Sequence, residues 1–155
     1  MSLHYILDGY NIMRHASYRP RGRAKDPRYG LIAHVRDEGL CGSARNTVTV
    51  VFDGYPAGFT YEDSRFHAVF SGSAKADDRI KAMVETADRA NTIVVSDDRE
   101  IAGYVRLHGI KVEPVEDFLT RRRGPAPRED ESSKPELTYD AMNRINRELR
   151  DKWLK

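Results

Sequence analysis

A second cysteine is missing from this chain. Cys41 stands alone among 155 residues, so an intramolecular disulfide is excluded and a reducing compartment, the cytoplasm, is the expected setting. No signal-like segment opens the sequence, and no apolar run approaches the length of a membrane span, so no membrane partner is expected. Zinc lacks its usual ligands, because no Cys/His cluster has the spacing it needs. A GxxxxGK[ST] phosphate loop and a GxSxG nucleophile elbow are both absent, and Gly72 stands without the pattern of a dinucleotide-binding turn. A phosphate-accepting receiver domain needs an acid pair after its first strand, and here Asp8 stands alone. An excess of either charge is missing as well. Lys and Arg number 26 against 24 Asp and Glu, a formal net charge of +2, so the distribution of charge is more informative than its sum.

What is present reads as a well-solvated α/β domain, with 32% charged and 39% hydrophobic residues. Residues 3–7 form a short apolar run without alternation, as in a parallel strand covered on both faces. Residues 47–52, 66–70, 92–95 and 110–112 supply four more candidate strands. Between them, helical patterns fall at residues 10–16, 29–40, 75–90, 101–108 and 117–119. Strands and helices alternating at this spacing predict a mainly parallel sheet. The domain is expected to occupy residues 1–120. Residues 121–137, rich in Arg, Pro, Glu and Ser, read as a linker. Residues 138–155 read as an amphipathic C-terminal helix carrying Met142, Ile145, Leu149 and Trp153, more simply docked on its own domain than on a partner.

The acids are the more telling feature. Three strands end in carboxylates, at Asp8, Asp53 and the pair Asp97-Asp98, and the helix at 75–90 opens with Asp77-Asp78. In a parallel sheet the carboxyl ends share one edge, so these side chains can converge. Asp8 taken alone reads more simply as a helix N-cap, with Gly9 permitting a sharp turn and Asn11 able to place a second oxygen nearby; the recurrence of acids downstream changes that balance. Clustered carboxylates resist ionising unless they share a cation, and Mg2+ or Mn2+ is the fitting hard ion. Such an ion suits phosphodiester hydrolysis. Cations at Arg19, Arg21, Arg23, Lys25 and Arg28, and again at Arg121, Arg122 and Arg123, would hold a phosphate backbone. Tyr10, Tyr55, Phe59 and Tyr61 are candidates for stacking unpaired bases, with ordinary packing as the simpler reading.

Leu7-Asp8-Gly9-Tyr10-Asn11, Val51-Phe52-Asp53-Gly54, Ala76-Asp77-Asp78-Arg79-Ile80 and Val94-Val95-Ser96-Asp97 occur in that order. Together, over roughly residues 3–120, they resemble the NYN domain family of PIN-like nucleases, and within it the bacterial YacP-like branch. The resemblance implies a PIN-like three-layer α/β/α sandwich and metal-dependent endoribonuclease activity on single-stranded RNA. It implies catalytic and metal-ligand roles for Asp8, Asp53, Asp77 and Asp97, with Asn11, Asp78, Ser96 and Asp98 in support. It also implies action on mRNA in the context of translation, with the ribosome as a partner. The competing reading is a non-catalytic RNA- or ribosome-binding module with a vestigial acidic cluster.

Overall fold

The computed structural model describes residues 2–20, 22, 25–61 and 63–121. Met1–Arg121 forms one compact unit; the expected C-terminal helix, and the expected linker from residue 122 on, lie outside the described residues.

Five short strands run β1 (His4–Asp8), β2 (Thr47–Phe52), β3 (Phe66–Phe70), β4 (Thr92–Val95) and β5 (Lys111–Glu113). They form one sheet in the order β3-β2-β1-β4-β5, and every neighbouring pair is parallel. The helices are α1 (Gly9–Met13), α2 (Pro27–Asp37), α3 (Ala76–Glu85), α4 (Arg99–Leu107) and α5 (Val115–Leu119). Among the described residues, no helix is long and apolar enough to cross a membrane.

Alternation along each strand sorts the side chains into two cores. On one face Tyr5, Leu7, Val48, Val50, Phe52, Ile93 and Val95 meet Ile12, Leu31, Ile32, Val35, Val115 and Phe118 from α1, α2 and α5. On the other, Ile6, Val51 and Val94 meet Ile80 and Val84 of α3 and Ile101 and Val105 of α4. The result is a three-layer α/β/α sandwich. Each large side chain buried this way is worth roughly 1.5–3 kcal/mol. Cys41 belongs to the first core, and burial pushes its thiol up to about 12.

Local capping chemistry adjusts the element ends that periodicity alone suggests. α2 begins at Pro27 rather than at residue 29, because Asp26 accepts the Arg28 N–H and Pro27 needs no donor in the first turn. α3 stops at Glu85. The chain then re-forms as a 3-10 turn over Arg89–Asn91, capped by Asp88, so the helical pattern to residue 90 is two elements. α4 starts at Arg99 under Asp98, whose carboxylate accepts the Glu100 and Ile101 N–H groups.

The chain builds outward from β1 through β2 to β3, then returns to place β4 on the other side of β1. Strand order therefore reverses between β1 and β4. Open α/β sheets bind ligands outside the carboxyl ends at such a point, and the residue that ends β1 there is Asp8.

Candidate active site

Strand parity decides which acids face one another. Ile6 and Val51 point to the α3/α4 side, so counting on by two puts Asp8 and Asp53 on that side as well. Val94 shares it, and so do Ser96 and then Asp98 in the continuing chain. Asp97 falls on the opposite side. The side-chain contacts agree with this count. Ser96 Oγ donates to Asp8 Oδ2 at 3.0 Å, and the Asp98 N–H donates back to Ser96 Oγ at 3.1 Å. Asp8 occupies the N-cap position of α1 without a full side-chain capping hydrogen bond, although the Asn11 N–H acts on its carboxyl from the first turn.

Asp8 is 8% exposed, and its carboxyl is pushed up to about 6 from 3.8. Burial is the main cause; the Ser96 hydrogen bond opposes it, and the charges of Asp53 and Asp98 add to it. No cation is among the strongest influences on this carboxyl. Asp53 Oδ1 accepts the Ala76 N–H at 2.6 Å, supplying from β2 the cap that Lys75, with no side-chain bond of its own, does not give α3. That bond brings the first turn of α3, with Asp77 and Asp78, to the carboxyl edge. Both of these acids also act on Lys81 one turn further on, whose stronger partner is Glu100.

Asp97, by contrast, faces α1 and α5. Its Oδ1 accepts the Val115 N–H at 2.9 Å, and its Oδ2 lies 3.6 Å from His15 Nε2. His15 Nε2 is also 3.7 Å from Glu116 Oε1, while its Nδ1 accepts from the Ser17 N–H. Asn11 serves both sides: its backbone N–H helps to hold the Asp8 carboxyl down, and its Oδ1 accepts the Asp97 N–H at 3.0 Å. The structure thus brings Asp8, Asp53, Ser96 and Asp98 together and holds Asp97 and Asn11 behind them.

The candidate RNA-binding cations divide in the same way. Arg28 is fastened internally, with Nε and Nη2 donating to both Asp26 oxygens and Nη1 to the Pro56 carbonyl, its plane over Phe59 and Phe70. Arg121 bonds Glu113 and the Leu40 carbonyl. Arg19 and Lys25 are exposed, and Lys25 lines an open pocket of about 410 Å3 with Tyr10, Asp26, Pro27 and Arg28. Arg21, Arg23, Arg122 and Arg123 lie outside the described residues. Of the aromatics, Phe59 is buried core and Tyr61 bonds Arg36. Tyr10 packs edge-on against Phe52 beside the open pocket, and Tyr55 is 66% exposed.

All-oxygen ligands in a partly buried, uncompensated acidic group suit magnesium or manganese. Among the described residues no three His, Cys, Asp or Glu side chains are drawn into a ready-made ion cage. Such oxygens suit a hydrated ion, held by one or two carboxylates with water completing its shell. Two features escaped the sequence reading: the side on which Asp98 lies, which counting by two from Val94 would have given, and a pair of arginines on α4, Arg99 and Arg106.

The sequence matches the family model described as the YacP-like NYN domain over residues 5–155, so the match extends beyond the four motifs into the tail. Solved structures with the same fold include the crystal structure of a mutant of Rae1 (YacP) from Bacillus subtilis. It is 18% identical, with a TM-score of 0.57, over 99% of this chain and 84% of that one. No curated protein matches the sequence.

Proposed function

Because the chain belongs to the YacP-like NYN domain family, with its PIN-like nuclease fold, we propose that it is a divalent-metal-dependent endoribonuclease cleaving single-stranded RNA. The observation that carries this reading is Asp8: a carboxylate nearly out of water, at the strand-order reversal, with two more carboxylates and no cation among its strongest influences. Magnesium or manganese, when bound, supplies a Lewis acid that neutralises a phosphodiester oxygen and lowers the pKa of water. Asp8 and Asp53 are the residues that would hold it, with Asp98 from β4's side and Asp77 from α3. Ser96 fixes the Asp8 carboxylate through its hydroxyl. Asn11 and Asp97 set the backbone of the β4–α4 turn, with Asp97 Oδ1 engaged by the Val115 N–H. Lys25 would meet a phosphate on the β2 side, where it and Tyr10 border an open pocket, and exposed Arg19 would serve as a further cation. Action in the cytoplasm on mRNA engaged with a ribosome extends the same proposal, and cosedimentation with ribosomes tests that part.

The test is cleavage of a labelled single-stranded RNA with Mg2+, with Mn2+ and with chelator, for the wild type, Asp8→Asn and Asp98→Asn. Loss of a ligand should reduce the rate by more than the roughly 100-fold that outer-shell partners of a metal site contribute, and chelator should abolish cleavage. Activity indifferent to chelator and to Asp8→Asn would sink the proposal. The absence of a three-residue cage among the described residues favours a second reading, a non-catalytic RNA- or ribosome-binding module. In that case Asp8→Asn leaves RNA affinity unchanged or raises it, and no divalent ion elicits cleavage.

A further inference from the structure

A cleft of about 450 Å3 lies between α4 and the edge strand β5, lined by Ser96, Asp97, Arg99, Ala102, Gly103, Arg106, Val112 and Pro114. Arg99, Gly103 and Arg106 recur at helical spacing, so one face of α4 presents two guanidinium groups on either side of a residue without a side chain. Glycine is unfavourable inside a helix relative to alanine, yet nothing in the packing demands it here. A Cβ built on Gly103 meets no atom within 4 Å. The space above it is therefore open floor, unlike the space at Gly9. Arg99 and Arg106 are exposed and make no side-chain hydrogen bond or ion pair among the described residues, whereas Arg28 and Arg121 are fastened to carboxylates. The one acid in the lining, Asp97, already engages Val115 and stands by His15.

The cleft also shares a wall with the acidic site, because Ser96 both lines it and donates to Asp8. Tyr10 and Lys25 border their pocket towards β2, and Arg99 and Arg106 theirs towards β5, so Asp8 lies between the two. We infer that the α4/β5 cleft is a second RNA subsite, in which Arg99 and Arg106 hold the phosphodiester of a nucleotide next to the one presented to Asp8. Planar guanidinium groups match phosphate oxygens two at a time, and the volume falls in the range of small-ligand sites. A single strand entering past Tyr10 and leaving between α4 and β5 crosses the carboxyl edge directly over Asp8. The inference rests on the proposed reading in one respect, that the polymer is RNA.

Binding of a fluorescent single-stranded RNA of about a dozen nucleotides, long enough to span several phosphate contacts, tests it by anisotropy across a salt series in chelator. Arg99→Gln with Arg106→Gln should bind about tenfold more weakly and flatten the slope of log affinity against log salt by about 1.4, two phosphate contacts at roughly 0.7 each. Gly103→Leu keeps both arginines and the helix but fills the floor, and should also weaken binding. A control of equal charge, Arg45→Gln with Arg89→Gln, alters two exposed arginines that lie before β2 and β4, at the amino edge; it should leave affinity and slope nearly unchanged. Wild-type affinity in both cleft variants overturns the inference, as does an equal loss in the control or no RNA binding by the wild type. Weakened binding in the cleft variants without any metal-dependent cleavage by the wild type supports the subsite and rejects the nuclease.

Discussion

At Asp8, folding and function pull in opposite directions. A carboxyl group held at about 6 in the folded chain, against 3.8 in the open chain, binds more protons folded than unfolded between those values. Stability therefore falls as pH rises from about 4 to about 6, and above that the full cost of burying the charge is present, at most roughly 3 kcal/mol. Asp8→Asn removes the charge while its amide oxygen still accepts from Ser96. The variant should be more stable than the wild type at pH 7–8, lose the slope between pH 4 and 6, and lose ribonuclease activity. Urea unfolding at a series of pH values checks it, and a variant less stable at pH 8 with its slope intact would contradict the burial argument. A buried carboxyl that weakens the fold where it stands is a mark of a functional site rather than of a stabilising contact.

The elements show how much of this was legible from the chain and where legibility stopped. Runs such as Thr47-Val48-Thr49-Val50-Val51-Phe52 give a strand by composition alone, and acids behind three strands give the functional edge. Which member of Asp97-Asp98 faces Asp8 depends on parity carried past the end of β4, where the turn is fixed by Asn11, Ser96 and Val115 from three separate parts of the sequence. The true starts of α2 and α4 depend on side-chain caps rather than on apolar period. Nor could composition show that Arg121 is already paired with Glu113 and the Leu40 carbonyl, whereas Arg28 meets Asp26 only two residues away. Two glycines separate element-level demands from tolerance. At Gly9 a Cβ would stand 2.6 and 2.7 Å from ring carbons of the fully buried Phe52 and 3.0 Å from the Val51 carbonyl. Gly9→Ala should lose about 1–3 kcal/mol to overpacking even though alanine favours the helix, and cleavage should fall as α1 lifts Asp8 from its place. Gly103→Ala, in open space, should instead gain about 0.5–1 kcal/mol. Thermal unfolding of the two side by side checks the contrast, and a stabilised Gly9→Ala would show that β2 and α1 can part without strain.

Over the whole molecule, an all-parallel sheet whose order reverses at β1 gathers acid from three strands and a helix at one edge, while its cores on either face are built from apolar residues. At that edge Asp53 and Asp98 cap helices, but Asp8 is buried at a cost, which a bound cation would offset. A divalent ion that binds the folded chain and not the unfolded one stabilises it by mass action, about 2.7 kcal/mol at a hundredfold excess over its dissociation constant. For a unit of this size that is an upward shift in Tm of roughly 5–10 °C. The shift should appear with Mg2+ or Mn2+ at pH 7.5, vanish with chelator, and shrink below pH 6, where Asp8 takes up its proton and competes with the ion. It should be small in Asp8→Asn at every pH, although that variant starts from a higher Tm. A Tm unmoved by either ion up to millimolar concentration would leave the acidic edge without a cation and the sheet reversal without its proposed ligand. A shift equal in wild type and Asp8→Asn would place the ion elsewhere on the surface.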